Sequence, residues 1–221
     1  MQADKRSVFP LVRHLSNGLS PLLAKTPLTP NQITALSLGC GLAAAYGLSG
    51  GRWLGNVVGS LLFVLCYVLD NCDGEIARLK NLSSRAGAIF DTAADAVVHP
   101  ILFAAMGLGV ARATENSLWL WVGLAAAAGA TINGCISVGR ELKKPPPRAM
   151  AVDEPVYSAM PERTGERMLF VFRELSRADF CFILLALAVA DLLWLLLPAA
   201  AVGSQVYWVT SLAESSSRYH V

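Results

Sequence analysis

The sequence predicts an all-α integral membrane protein: six transmembrane helices preceded by an N-terminal amphipathic helix lying in the membrane interface. Three observations lead there. Of 221 residues, 54% are hydrophobic and 15% are charged, with a mean hydropathy of +0.49, far from ordinary soluble usage. Apolar runs close to the ~20 residues that cross a bilayer at helical rise recur along the chain. The charged residues gather between those runs instead of alternating with apolar ones. In lipid such a chain needs mainly to satisfy its own backbone, which helices do.

Residues 3–25 mix Lys5, Arg6, Arg13, His14 and Lys25 with Phe9, Leu11, Val12, Leu15, Leu19, Leu22 and Leu23, the pattern of a helix lying along a membrane surface. Residues 1–28 are therefore set apart as a juxtamembrane helix, and 29–221 as one six-helix membrane domain. The stretch LTPNQIT supplies a helix start, with Thr29 as N-cap, Pro30 at the first helical position and Gln32 closing a capping box. The first span covers 31–50, Gly50, Gly51 and Arg52 turn the chain, and a second apolar run over 53–69 reaches a cluster of aspartates. Further spans are expected over 88–111, 117–139, 178–196 and 197–213, with Asp191 and Pro198 bracketing the last turn. Residues 140–177, with a proline run and mixed charge, read as a partly ordered loop leading into an interfacial helix.

The net charge of +2 is too mild to imply a nucleic-acid partner. Placement of the 18 Lys and Arg residues is more informative: four precede the first span, three lie between spans two and three, eight between spans four and five, and Arg218 is in the tail. Only Arg52 and Arg112 fall on the other side, so the positive-inside rule puts both termini and the aspartates in the cytoplasm. The N-terminus has charges but no apolar h-region or cleavage site, and insertion is expected to be directed by the first internal helix, in the plasma membrane of a prokaryote. Cys40, Cys66, Cys72, Cys135 and Cys181 include no CxxC pair and are odd in number, which suggests buried thiols and neither a disulfide framework nor a zinc site.

The chemistry concentrates in DNCDGEIARLKNLSSRAGAIFDTAADA, residues 70–96. Asp70 and Asp73 are three apart on one helix, and Gly87, Asp91 and Asp95 are four apart on the next, so each set lines one face. Two such helices folded antiparallel aim four carboxylates at one small volume. Like charges so close need a cation, and oxygen-only ligands select a hard one. Gly74, Ala77 and Gly87 remove bulk where something large must approach the backbone, and Arg78 is placed to hold a phosphate or to pair with an aspartate. Together these residues suit a pyrophosphate substrate. The plainer reading is that the aspartates form ordinary salt bridges with Arg78, Lys80 and Arg85, but acids at a membrane edge, four on two facing stripes beside glycines, favour function.

The series Asp70, Asp73-Gly74, Ala77-Arg78, Gly87, Asp91, Asp95 resembles the complete signature of the CDP-alcohol phosphotransferase family, with each position present over 26 residues. The PNQIT opening of the first span, the amphipathic N-terminal helix and the six-span layout are similar to that family too. The resemblance implies transfer of a phosphorylated alcohol from a CDP-linked donor to an acceptor hydroxyl, with release of CMP. It assigns Asp70, Asp73 and Asp91 as ligands of Mg²⁺ or Mn²⁺, with a two-metal site plausible, and Asp70, Gly74, Ala77, Arg78 and Gly87 as the CDP site. Asp95 becomes general base as well as a member of the metal centre. It also implies a homodimer packed through membrane helices, for which Ala43, Ala44 and Ala45 or residues 125–128 permit close contact.

The substrates are less legible. A phosphorylated acceptor, glycerol phosphate or inositol phosphate, needs a basic pocket, and Arg140 and Arg177 are the best-placed candidates, although both also suit positive-inside anchors. Lys143, Lys144, Arg148, Arg163 and Arg167 read as loop charges facing lipid headgroups. The donor is either CDP-diacylglycerol or a polar CDP-alcohol such as CDP-inositol. Two other classes share the acidic chemistry: an intramembrane prenyltransferase and a divalent-cation transporter. The first resembles larger bundles with a distant second acidic cluster. The second needs a polar path across the bilayer, and the expected spans one, three and four carry almost no polar side chains beyond their cytoplasmic third.

Overall fold

The computed structural model describes residues 11–144 and 179–217. Seven α-helices are described: α1 (Leu11–Ala24), α2 (Pro30–Ser49), α3 (Trp53–Leu79), α4 (Arg85–Thr114), α5 (Leu118–Lys143), α6 (Phe180–Val189) and α7 (Leu196–Ser217). Among the described residues there is no strand. Three helices, α3, α4 and α5, are long and apolar enough to cross a membrane. Large apolar side chains such as Leu36, Leu61, Leu65, Ile101, Trp121 and Val206 are exposed around the outside, a surface that suits lipid and not water.

Helix α2 packs against both α3 and α4, α4 against α5, α5 against α7, and α3 against α6 and α1. Thr29 caps α2 as expected: its hydroxyl accepts from Gln32 N–H, and the Gln32 side chain accepts from Thr29 N–H at 2.9 Å. Close backbone approaches at glycines set the bundle's tightness, as two of them illustrate. A Cβ on Gly107 of α4 would sit 2.7 Å from the Cα of Gly123 on α5, and one on Gly59 of α3 would sit 2.8 Å from the Ala44 carbonyl of α2. Only glycine lets these backbones touch. The expected use of small residues between subunits meets a competing demand here, because Ala44, Ala45 and Ala126 are buried within the chain itself.

The main core gathers Leu48, Phe63, Val98, Leu102, Met106, Leu184 and Leu197. A second core, Val12, Ile33, Val68, Leu69, Cys72 and Ile76, lies around the part of α3 that bears the aspartates. Helix α1 helps to build it. Its buried stripe is Val12, Ser16 and Ser20, with Leu19 and Leu23 packed beside it, while Leu15 and Leu22 stay exposed; the face set against protein is thus partly polar. The carboxylate of Asp179, itself buried, accepts from the first backbone N–H groups of α1, Leu11 at 2.8 Å and Val12 at 3.0 Å. A helix N-terminus offers unpaired N–H groups and a partial positive charge, so it can hold a buried anion.

The spans expected at 178–196 and 197–213 are divided differently. Helix α6 stops at Val189, and Asp191 takes a left-handed conformation with φ 57°. Leu192 N–H then bonds to Leu187 C=O at 2.8 Å and Asp191 N–H to Ala188 C=O at 3.2 Å, the pairing of a Schellman stop. A short 3-10 turn, Leu193–Leu195, precedes α7. Pro198 falls in the first turn of α7, where no intrahelical N–H is needed, so it breaks nothing. The cysteine expectation holds for Cys66, Cys72 and Cys181, which are buried and free; Cys135 is exposed on the outer face of α5.

Candidate active site

Helix α3 carries Asp70 and Asp73 close to its end, and Asn81, at φ 55°, stops it with the same device: Leu82 N–H bonds to Ala77 C=O at 2.8 Å and Asn81 N–H to Arg78 C=O at 3.1 Å. Ser84 restarts the chain as α4. Its hydroxyl accepts from Gly87 N–H at 3.0 Å, the N-cap bond that fixes where Asp91 and Asp95 face. Arg85 ties this start to the end of α5 by donating to the Leu142 carbonyl.

The result is a convergence of carboxylates. Asp70, Asp73 and Asp91 each offer an oxygen within 4.8 Å of the others. Asp73 is 5% exposed, and the Thr34 hydroxyl of α2 lies against its Oδ2. Oδ1 of Asp91 is buried with no hydrogen-bond partner. Three carboxylates this close repel one another, and a buried, unpartnered carboxylate oxygen is costly; a hard divalent cation answers both, so the residues present fit such an ion. The plain salt-bridge reading fares badly. Among the described residues no Lys or Arg pairs with these aspartates: Lys80 donates instead to the Thr26 and Leu28 carbonyls, at 2.8 Å each.

Asp95 lies beside this trio without joining it. It is exposed, outside the three-carboxylate group, with Oδ1 3.9 Å from His99 Nδ1. A cleft of ≈ 250 Å³ opens beside the carboxylates, with Asp73, Gly74, Ala77, Arg78, Gly87 and Asp91 in its wall. Six of the eight signature positions therefore face one space, and Asp70 joins through the carboxylate group. The two glycines differ in what they serve. A Cβ on Gly87 would press on Asn31 Oδ1 and Ser84 Oγ at 3.1 Å, whereas one on Gly74 would meet only Arg78 Nη1, at an ordinary 3.7 Å. Among the described residues nothing crowds a Cβ at 74.

Asn31, Thr34 and Ser84 also line the cleft, and sequence reasoning passed over all three. The PNQIT stretch is read for its cap and for the family resemblance; its three-residue spacing from Asn31 to Thr34 is the signal that both share a helix face. Arg140 lies in the last turn of α5 and does not line the cleft. Arg177 lies outside the described residues.

This arrangement carries the signature as one three-dimensional unit, and a model of the CDP-alcohol phosphatidyltransferase family matches residues 27–202. The chain belongs to the CDP-alcohol phosphatidyltransferase family. The matched segment runs from just before α2 into the first turns of α7 and includes every aspartate of the site. Among curated proteins, the bifunctional IPC transferase and DIPP synthase of Rubrobacter xylanophilus is 33% identical over 104 residues, 45% of this chain and 23% of that protein. Proteins of the same name match from Aquifex aeolicus, at 27% over 52% of the chain and 26% of the relative, and from Thermococcus kodakarensis, at 30% over 55% and 26%. The alignments thus span about a quarter of the length of these relatives.

Proposed function

We propose that this protein transfers a phosphorylated alcohol from a CDP-linked donor to the hydroxyl of a polar, phosphorylated acceptor, releasing CMP. The observation that carries the reading is the group of three carboxylates, one with an unpartnered buried oxygen, of which Asp73 and Asp91 line a cleft that Arg78 and Gly74 line too. Asp70, Asp73 and Asp91 would hold Mg²⁺ or Mn²⁺, as one ion or two, which when bound neutralises pyrophosphate oxygens and the leaving group. The Arg78 side chain, folded back toward Gly74, supplies a guanidinium for a donor phosphate. Asp95, outside the group of three, takes the proton of the acceptor hydroxyl while that oxygen attacks the phosphorus distal to cytidine; the bond to the CMP oxygen breaks, and CMP leaves.

Likeness to proteins named IPC transferase and DIPP synthase supports inositol phosphate ahead of glycerol phosphate as acceptor. A six-span bundle in a prokaryotic plasma membrane, with the site cytoplasmic and two copies per assembly, is the setting we propose, supported by the three crossing-length helices and by the lysines and arginines on the aspartate side. The test is CMP release by the purified protein with Mg²⁺, offering CDP-inositol and CDP-diacylglycerol as donors and inositol phosphate and glycerol phosphate as acceptors. Release that depends on inositol phosphate supports the acceptor assignment; release with glycerol phosphate alone overturns it and keeps the reaction class. No release with any pair overturns the reading.

A further inference from the structure

One polar constellation lies beyond the carboxylates. His99, one helical turn past Asp95 on α4, places Nδ1 3.0 Å from the Asp95 backbone carbonyl oxygen and Nε2 3.0 Å from the Tyr67 hydroxyl of α3. A carbonyl can only accept, so Nδ1 carries the proton; in the neutral ring Nε2 then presents its lone pair, and Tyr67 donates to it. Both ring nitrogens are used, and the imidazole has no lone pair left for a metal. The ring is also held edge-on by Phe63, at a centroid separation of 6.2 Å, and by Tyr67 at 6.0 Å. Phe63 is in turn braced by Phe180 of α6 at 6.2 Å.

The location makes this more than a satisfied, partly buried histidine. Tyr67 stands one turn before Asp70, and His99 one turn after Asp95, so their hydrogen bond links the two acid-bearing helices directly, while α2 packs against each. Pro100 follows His99 inside α4 and removes the N–H that would have bonded to the Ala96 carbonyl, weakening the helix beside Asp95. The Nδ1 bond to the Asp95 carbonyl braces that weakened turn. The same Nδ1 lies 3.9 Å from Asp95 Oδ1, close enough to bias where the carboxylate points without bonding to it. Polar rings inside helices of membrane-crossing length are rarely idle.

We propose that His99, clamped by Tyr67, is a positioning residue for Asp95, holding the turn and orientation from which the Asp95 carboxylate meets the acceptor hydroxyl. The proposal rests on the reading of Asp95 as the base.

The experiment compares wild type with H99A, H99N and Y67F as full-length protein in detergent with Mg²⁺, using whichever donor and acceptor pair above releases CMP. H99A is expected to lower kcat by about 10- to 100-fold, the usual cost of losing a group that orients a site residue. Its acceptor KM and its CDP dissociation constant should stay within about twofold, because an interaction made only in the transition state is lost. H99N puts an amide N–H where Nδ1–H was and should recover most of the kcat; Y67F should fall between. As a readout independent of turnover, ¹⁵N spectra of histidine-labelled protein, assigned with H99A, should show the Nδ1–H tautomer at His99. The inference is overturned if H99A keeps kcat within about twofold, if kcat, CDP affinity and thermal midpoint fall together in H99A and H99N alike, or if the Nε2–H tautomer is found. Absence of turnover in wild type overturns the reaction reading itself and this inference with it, a result distinct from active wild type and unaffected H99A.

Discussion

Replacing Gly74 with alanine should move stability and ligand binding in opposite directions. Gly74 lies in the interior of α3, where glycine costs ~0.8–1 kcal/mol of helix stability relative to alanine. The added Cβ would meet no backbone and only Arg78 Nη1 at 3.7 Å, ordinary contact with the end of a flexible side chain, so no packing penalty offsets the gain. The protein should therefore be as stable as wild type or more stable by up to ~1 kcal/mol, read as an unchanged or higher thermal midpoint in detergent. The same carbon projects into the cleft beside Asp73 and Arg78. Overpacking a fitted site costs ~1–3 kcal/mol, so the CDP dissociation constant, measured calorimetrically with Mg²⁺, should rise about 5- to 150-fold. A lower thermal midpoint would show that the protein itself needs glycine there. CDP affinity within about twofold of wild type, a shift of ~0.4 kcal/mol, would show that nothing approaches that backbone, and the cleft would lose its role.

Gly87→Ala should differ by carrying a stability cost as well, since its Cβ crowds Ser84 Oγ and Asn31 Oδ1 at 3.1 Å; a thermal midpoint below that of Gly74→Ala checks it. Thr34→Val removes the hydroxyl lying against buried Asp73 and should destabilise the metal-free protein by ~1–3 kcal/mol, with Thr34→Ser restoring most of it; equal melting of Thr34→Val and wild type would refute this. Mg²⁺ at about 100 times its dissociation constant should stabilise the fold by ~2.7 kcal/mol, and EDTA should reverse the shift. Asp91→Asn should abolish that Mg²⁺ response; an undiminished response would place the ion elsewhere. Gly123→Leu cannot fit against Gly107, where even a Cβ would lie 2.6 Å from the facing Cα, so it should fail to give a monodisperse bundle by size-exclusion chromatography.

What was legible in the sequence was local. The capping box at Thr29, the lengths of α3, α4 and α5 and the i, i+3 and i, i+4 stripes of carboxylates each follow from neighbours a few residues apart. What escaped it depends on distant partners or on competing local signals. Asp179 holds the start of α1 across 167 residues of sequence at Val12, and no periodicity announces such a pair. His99 and Tyr67 are 32 apart on different helices, and each alone looks like an ordinary interior residue. Asp191 and Pro198 were expected to bracket the last turn; the left-handed stop at Asp191 ends α6, while Pro198 falls in a first turn, where a proline costs a helix nothing. Asp95 was expected to be both the base and a member of the metal centre, and the three-dimensional arrangement leaves it outside the group of Asp70, Asp73 and Asp91.

The central claim is tested most directly by acceptor-dependent CMP release from a CDP-linked donor, measured in Mg²⁺ for wild type and Asp95→Asn side by side. The account predicts turnover in wild type that is lost in Asp95→Asn while Asp95→Asn still binds CDP, since Asp95 stands outside the three-carboxylate group. Turnover that survives in Asp95→Asn would contradict the assignment of the base, and a wild-type protein that neither binds CDP nor releases CMP would contradict the account as a whole.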